Sequence, residues 1–486
     1  MDNFILCGMQ YGDEGKGTFV DYLAHKYNIN CVVKYNGGSQ ASHTVITPDG
    51  ILHKFSQLGS GMFLEDCHTF ITENMVINLD NILVELERFS KKTDIPVCDL
   101  LERIHIHENC FVVTPYHKLI NKLRELSKGT NRRGSVGTGV SEVRTLLREP
   151  KNFPFEQPLG LSVKSVFDHY SANQIKGRLE ALQNYTEKFY QNNVKVIWEN
   201  MPQELVSGLS KEIDFLLERH AFLRVSQMYI EKFRSVPTSI NLKKCLYNAY
   251  ETTFRKDYSR AIFEGSQGLL IDDVYGIKPN TTHLDTTNNF ALDISYYRDT
   301  IRKVGIAKAF SSRHGTGIFP TEASAVSQRI FDKNQDESFW NGKIRFGWFD
   351  AVLLRYAQSI NQVDELYLSS LDKLDKFEVI NVCNSYLYFG EIDETFKKLF
   401  QYQQSEPNKI VITDIKENHK NLIFYLEKCV PQYISVRGWL SDTSKVTDKF
   451  DLPENCAKYI ALLEDLVSIP ITLVSVGPTR ENKISA

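Results

Sequence analysis

Hydrophobic positions come in short blocks at the start of this chain, and each block ends in glycines. Phe4-Ile5-Leu6-Cys7 is a continuous apolar run, the pattern of a strand covered on both faces, and the chain then breaks into glycine. A helical period follows from about Gly17 to Tyr27, then a second apolar run, Cys31-Val32-Val33, and a third strand pattern over Ile51–Phe55. Helical spacing begins near residue 80, and a short strand pattern returns at Phe111-Val112-Val113. Over about 150–258 glycine thins out and Lys, Glu, Gln, Leu and Tyr recur at helical spacing, which predicts helices over Gln174–Val194 and Ser210–Phe233. The strand pattern resumes at Arg260–Gly268, residues about 376–440 read as a small α+β excursion, and Ile469–Val476 is a last strand. This alternation predicts an α/β fold with a large, mostly parallel central sheet and flanking helices. The chain reads as a single domain over residues 1–486, with a helical insert.

Composition narrows the class. With 486 residues, 42% hydrophobic and 24% charged, the chain has the profile of a globular enzyme. A net charge of −3 gives no electrostatic reason to expect nucleic acid or an anionic membrane. Nine cysteines stand singly with no C-x-x-C pair, as core thiols of a reducing, cytoplasmic setting do. No secretory signal pattern and no apolar run of about 20 residues is expected to carry the chain into or across a membrane.

The chemistry starts in the first loop. Gly12-Asp13-Glu14-Gly15-Lys16-Gly17-Thr18 leads from a strand into a helix, where glycine backbone and helix N–H groups cradle phosphate. The spacing is not that of a common P-loop, because six residues separate Gly8 from Gly15-Lys16 where Walker A has four. Two acids in an anion site, Asp13 and Glu14, point to a magnesium ligand or a general base. A second glycine-rich loop, Gly129 to Gly139, carries Arg132 and Arg133, which suit a phosphate or carboxylate.

The first-loop string resembles the N-terminal signature of the adenylosuccinate synthetase family. Further blocks agree in order: Gly37-Gly38 to His43-Thr44; Thr130 with Arg133-Gly134; Phe263-Glu264-Gly265-Ser266-Gln267-Gly268 with Thr282 behind it; Ser311-Ser312-Arg313 to Thr321-Glu322; Gly347-Trp348-Phe349-Asp350; Leu371-Asp372; and Ser475-Val476-Gly477-Pro478. The resemblance implies a P-loop-like nucleotide-binding fold and a GTP- and Mg²⁺-dependent ligase. It would phosphorylate the 6-oxygen of an IMP-like purine monophosphate and then join aspartate there. It implies Asp13 as base and metal neighbour, Gly38 as a second metal contact, His43 as general acid, Lys16 as phosphate cation and Gln267 against the 6-oxo purine. Gly12, Glu14, Gly15, Gly17 and Thr18 would surround the nucleotide phosphates, and Thr130, Arg133, Thr282 and Arg313 the monophosphate side. Arg144 would reach across a homodimer interface. Asp372, Ser475 and Gly477 would line the donor base pocket, where an acid suits guanine over adenine, with ATP as the alternative donor.

The departures are local. The family's threonine- and arginine-rich clamp for the aspartate carboxylates corresponds here to Phe339-Trp340-Asn341-Gly342-Lys343-Ile344-Arg345-Phe346, leaving only Lys343 and Arg345 as amine-binding cations. Restoring arginine at 342 and 344 is the change expected to improve aspartate use. Ser39-Gln40-Ala41-Ser42 also differs from the family string before His43, and His314 and Thr316 stand where the family has smaller or apolar residues. These changes keep two alternatives open: a specialised paralogue acting on GMP or dGMP or using another amine, and an inactive nucleotide sensor.

Overall fold

The computed structural model describes residues 3–129, 132, 134–135, 137–148, 160–231, 233, 245–248, 258–295, 300–330, 339–340, 342–406 and 409–485. Its frame is a ten-stranded sheet. In chain order the strands are β1 (Asn3–Gly8), β2 (Cys31–Lys34), β3 (His68–Ile71), β4 (Ile104–His107), β5 (Leu246–Tyr247), β6 (Ile262–Glu264), β7 (Ile301–Lys308), β8 (Glu365–Ser369), β9 (Ile471–Ser475) and β10 (Lys483–Ser485). They lie in the order β5-β4-β3-β2-β6-β1-β7-β8-β9-β10. Every neighbouring pair is parallel except β9 with β10. The α/β class with a mostly parallel sheet is therefore as the hydrophobic pattern predicts.

β1 lies near the centre because all six of its residues are buried, so both faces must be covered. Phe4 and Leu6 pack with Phe19, Val20 and Leu23 of helix α1 (Lys16–Tyr27), while Ile5 faces Val33, Phe263 and Ala291 on the other side. Each such side chain contributes about 1.5–3 kcal/mol on burial. β6, far along the chain, inserts between β1 and β2. That insertion sets the 264–268 loop beside the first loop at the carboxyl ends of the strands, where open parallel sheets bind ligands.

Two predicted elements fold differently. The strand predicted over Ile51–Phe55 does not join the sheet. Leu52–Phe55 turns back on His43–Ile46 as an antiparallel hairpin, with His43 opposite Phe55. The cause is the tight turn between them, in which Thr47 N–H bonds Ile51 O at 3.0 Å and Gly50 takes φ 90°. The helix predicted over Ser210–Phe233 is broken in two: Gln203–Leu217, which begins after Pro202, ends before His220 at φ 63°, and helix resumes over Ala221–Val225 and Ser226–Glu231. The preceding helix, Ala172–Glu199, starts in a Ser171–Gln174 capping box. Residues 379–437 contribute four antiparallel strands, with two short helices, Glu394–Leu399 and Leu422–Leu426, to a five-stranded sheet whose fifth strand, Phe349–Asp350, runs parallel to Val379–Tyr388.

Candidate active site

The first loop is an anion cradle built around a buried carboxylate. Gly12 and Gly15 hold left-handed φ of 95° and 86°, and Gly15 is the N-cap of α1. Glu14 is fully buried; its Oε1 accepts the N–H groups of Gly12 at 2.8 Å and Gln10 at 3.1 Å, and its Oε2 lies 2.5 Å from Lys16 Nζ. Lys16 Nζ also donates to Gln267 O at 2.7 Å, a carbonyl turned inward because Gln267 has φ 66°. The two acids thus divide their work: Glu14 braces the loop and aims the lysine, and Asp13 reaches outward.

His43 sits directly on this cradle. A Cβ on Gly17 would lie 2.7 Å from His43 Cβ, so only glycine lets the hairpin settle there. His43 Nδ1 bonds Glu264 Oε1, and Glu264 also takes Ser60 Oγ at 2.5 Å, Ser60 N–H at 2.9 Å and lies 3.4 Å from Lys34 Nζ. Burial outweighs the Glu264 carboxylate and, with Lys34, holds the His43 imidazole below its usual range. Burial would raise Glu264, but Lys34, His43 and Ser60 together keep it well below the usual carboxylate range. The ring is therefore neutral, with Nδ1–H donated to an ionised Glu264 and Nε2 left as the reactive nitrogen.

Asp13, at the loop tip with φ 60°, has a side chain 46% exposed, and its Oδ2 lies 2.8 Å from His314 Nε2. Desolvation raises this carboxyl, yet the His314 hydrogen bond, with Lys308 and Lys16, leaves it well below the usual range. It is ionised in this structure. An exposed carboxylate oxygen and a loop carbonyl are donors that Mg²⁺ takes, the part the family resemblance implies for Asp13 and the Gly38 carbonyl, and there the ion would spread charge over a transferring phosphoryl group. The Gly38 carbonyl here accepts Ala41 N–H at 3.3 Å.

In the first turn of α1, Thr18 Oγ1 bonds Pro478 O at 3.1 Å, and Ser475 Oγ bonds Gly477 O at 2.8 Å, so the 475–478 segment lies against the start of the helix. Lys483 Nζ reaches Thr479 O at 2.6 Å, and burial pulls this lysine down to about 7 although Asp21 and Asp372 oppose it. Asp372 is raised by burial, opposed by Lys373 at 3.4 Å.

Other predicted residues have different surroundings. Arg313 is buried and gives its guanidinium to three carbonyls, Thr316 O at 3.3 Å, Ile318 O at 2.8 Å and Asn280 O at 3.0 Å. Arg345 is spent likewise on Gly315 O, Gly317 O and Glu322 Oε2 at 2.9, 2.8 and 2.7 Å. Lys343 is exposed beside them. Arg144 donates to Asn74 O, and the Thr282 N–H to Ile271 O at 2.7 Å. Thr130 and Arg133 lie outside the described residues. Glu264, Lys34 and Ser60 are site residues that the sequence reading did not single out. A signal existed: Ile262-Phe263-Glu264 and Val32-Val33-Lys34 each end an apolar strand in a charge, and Glu264 and Lys34 are register partners on β6 and β2.

A glycine-rich loop at the carboxyl end of a central parallel strand, with an outward carboxylate and a carboxylate-held imidazole over it, is the arrangement of a nucleotide-using enzyme. The family profile described as adenylosuccinate synthetase matches residues 5–484, and the chain belongs to that family, a group of carbon–nitrogen ligases of purine metabolism. An adenylosuccinate synthetase from Halothermothrix orenii is 30% identical over 492 residues, covering 100% of this chain and 98% of the relative. The fold is shared with the fully ligated adenylosuccinate synthetase from Plasmodium falciparum, at TM-score 0.72 and 21% identity, covering 100% of this chain and 99% of that one. It is shared more distantly with the cyanophage S-2L succinoaminodeoxyadenylate synthetase bound to dGMP and dATP, at TM-score 0.55 and 14% identity, covering 100% and 95%. Among the described residues no helix is long and apolar enough to cross a membrane.

Proposed function

We propose that this chain uses GTP to phosphorylate the 6-oxygen of IMP and then joins aspartate at that carbon. The observation that carries the reading is His43, packed on Gly17 of the phosphate loop and held by buried Glu264. Asp13 takes the proton from purine N1, the 6-oxygen attacks the γ-phosphorus, and GDP leaves. The aspartate amine then displaces the 6-phosphate, giving the succinylated nucleotide and inorganic phosphate. Lys16 and the α1 N-terminus bind the phosphates. His43 Nε2, whose proton affinity rises beside the anionic phosphoryl group, serves the phosphoryl oxygen as acid. Asp372 reads the guanine N–H donors.

The test is incubation of purified protein with IMP, GTP, Mg²⁺ and a mixture of amino acids, with products read by mass. A product of IMP plus aspartate minus water is expected, and Asp13→Ala should abolish it. An adduct of another amine, or one formed only with GMP, dGMP or ATP, replaces that substrate in the reading. The absence of any adduct with all of them sinks it.

A further inference from the structure

We infer that His314 is a positioning residue that holds the Asp13 carboxylate in its working orientation, an inference that rests on the proposed role of Asp13 as base. Glu14 fixes the backbone of the first loop through the Gly12 and Gln10 N–H groups, but those bonds do not reach the Asp13 side chain. Among the described residues, the carboxylate's bonding partner is His314 Nε2 at 2.8 Å. A half-exposed aspartate on a loop tip otherwise turns freely about χ1 and χ2, and a base displaced by an ångström works far less well.

His314 is itself held hard. It ends the strand Ser311–His314, paired antiparallel with Ile344–Gly347 and opposite Ile344. The turn that follows is tied by two guanidinium groups, Arg313 on the carbonyls of Thr316, Ile318 and Asn280, and Arg345 on those of Gly315 and Gly317. The packing leaves no slack: Gly317 has φ 108°, and a Cβ there would come 2.2 Å from Arg313 Nη2. The two arginines therefore build a rigid mount for one imidazole.

The tautomer follows from the partners. An ionised carboxylate only accepts, so Nε2 carries the hydrogen. His314 Nδ1 is buried with no partner among the described residues, so nothing on that side competes for the ring's orientation. The Nε2–H bond engages Oδ2 and leaves Oδ1 without a bond to any described residue.

The experiment compares wild type, His314→Ala and His314→Gln, whose amide N–H can replace Nε2–H. Steady-state assays use the substrates identified by the mass measurement, and the ¹⁵N-histidine long-range NMR spectrum is assigned with the Gln variant. His314→Ala should lower kcat about 10- to 100-fold with KM for the purine nucleotide within about 2-fold, and Gln should restore most of it. The wild-type ring should carry hydrogen on Nε2 in a hydrogen bond, and the Nε2 resonance should shift in Asp13→Ala as that bond is lost. Equal kcat in wild type and His314→Ala, equal losses in Ala and Gln, or an Nδ1–H tautomer each overturn the inference. Turnover surviving Asp13→Ala would instead remove Asp13 as base. If wild type makes no adduct, the Nε2 resonance compared between wild type and Asp13→Ala decides whether His314 holds Asp13, and an unchanged resonance overturns the inference.

Discussion

Glu264 carries more of the site than its place in a strand suggests. It is one fully buried anion serving three groups: the His43 ring, the Ser60 hydroxyl and N–H, and the Lys34 ammonium. Glu264→Gln keeps the shape but removes the charge that fixes which His43 nitrogen bears hydrogen, and it leaves Lys34, 1% exposed, without its counter-charge. We expect kcat to fall about 10- to 100-fold with little change in KM. The thermal unfolding midpoint should fall as well, because the buried Lys34 loses its ion pair. Steady-state kinetics and a melting curve check both; an unchanged kcat would show that His43 does not need the carboxylate. Lys16 is held from two sides, by Glu14 Oε2 and the Gln267 carbonyl.

Elements differ in how plainly the sequence announces them. The first loop was legible because its information is local: left-handed glycines, a strand before and a helix after. The His43 hairpin was misread as a sheet strand because Leu52-His53-Lys54-Phe55 alternates like any half-buried strand, and its partner was decided by the Thr47–Ile51 turn. That hairpin carries a pH-dependent cost. His53 is 2% exposed, lies with its ring 4.5 Å from that of Phe55 and 5.0 Å from that of Phe89, and neither ring nitrogen has a partner among the described residues. Burial, aided by Lys92 and Arg88, lowers it to about 4. The unfolded chain titrates near 6.5 and so binds more protons between about 6.5 and 4; the stability His53 contributes is full above 6.5 and is lost as pH falls through that window. The loss is on the order of 2 kcal/mol near pH 4.5. His53→Leu should therefore lose less stability than wild type between pH 7.5 and 4.5, by urea titration at both. Parallel curves for the two proteins would refute the assignment.

At the scale of the whole molecule, the sheet order brings loops hundreds of residues apart into one site, and the ordered motifs announced that much. What they did not announce is the use of the segment before Gly347. Read as sequence, Lys343 and Arg345 look like the remnant of a carboxylate clamp. In the structure Arg345 is consumed by the Gly315 and Gly317 carbonyls and Glu322, a long-range geometry that spacing along the chain does not encode. The neighbouring positions are equally committed: Ile344 is 8% exposed in a core with Phe346 and Trp348, and Gly342 holds φ 67° with a Cβ site 3.2 Å from Gly315 Cα. Restoring the family's arginines there therefore fights the fold. Ile344→Arg puts an unpaired charge in an apolar core beside the His314 mount, a change that costs several kcal/mol, about 3 or more. We expect Ile344→Arg to lower the melting temperature and kcat together without lowering KM for aspartate. A lower KM for aspartate with an intact melting curve would show that the clamp can be rebuilt at its old position, and that Arg345 is available to the amine after all.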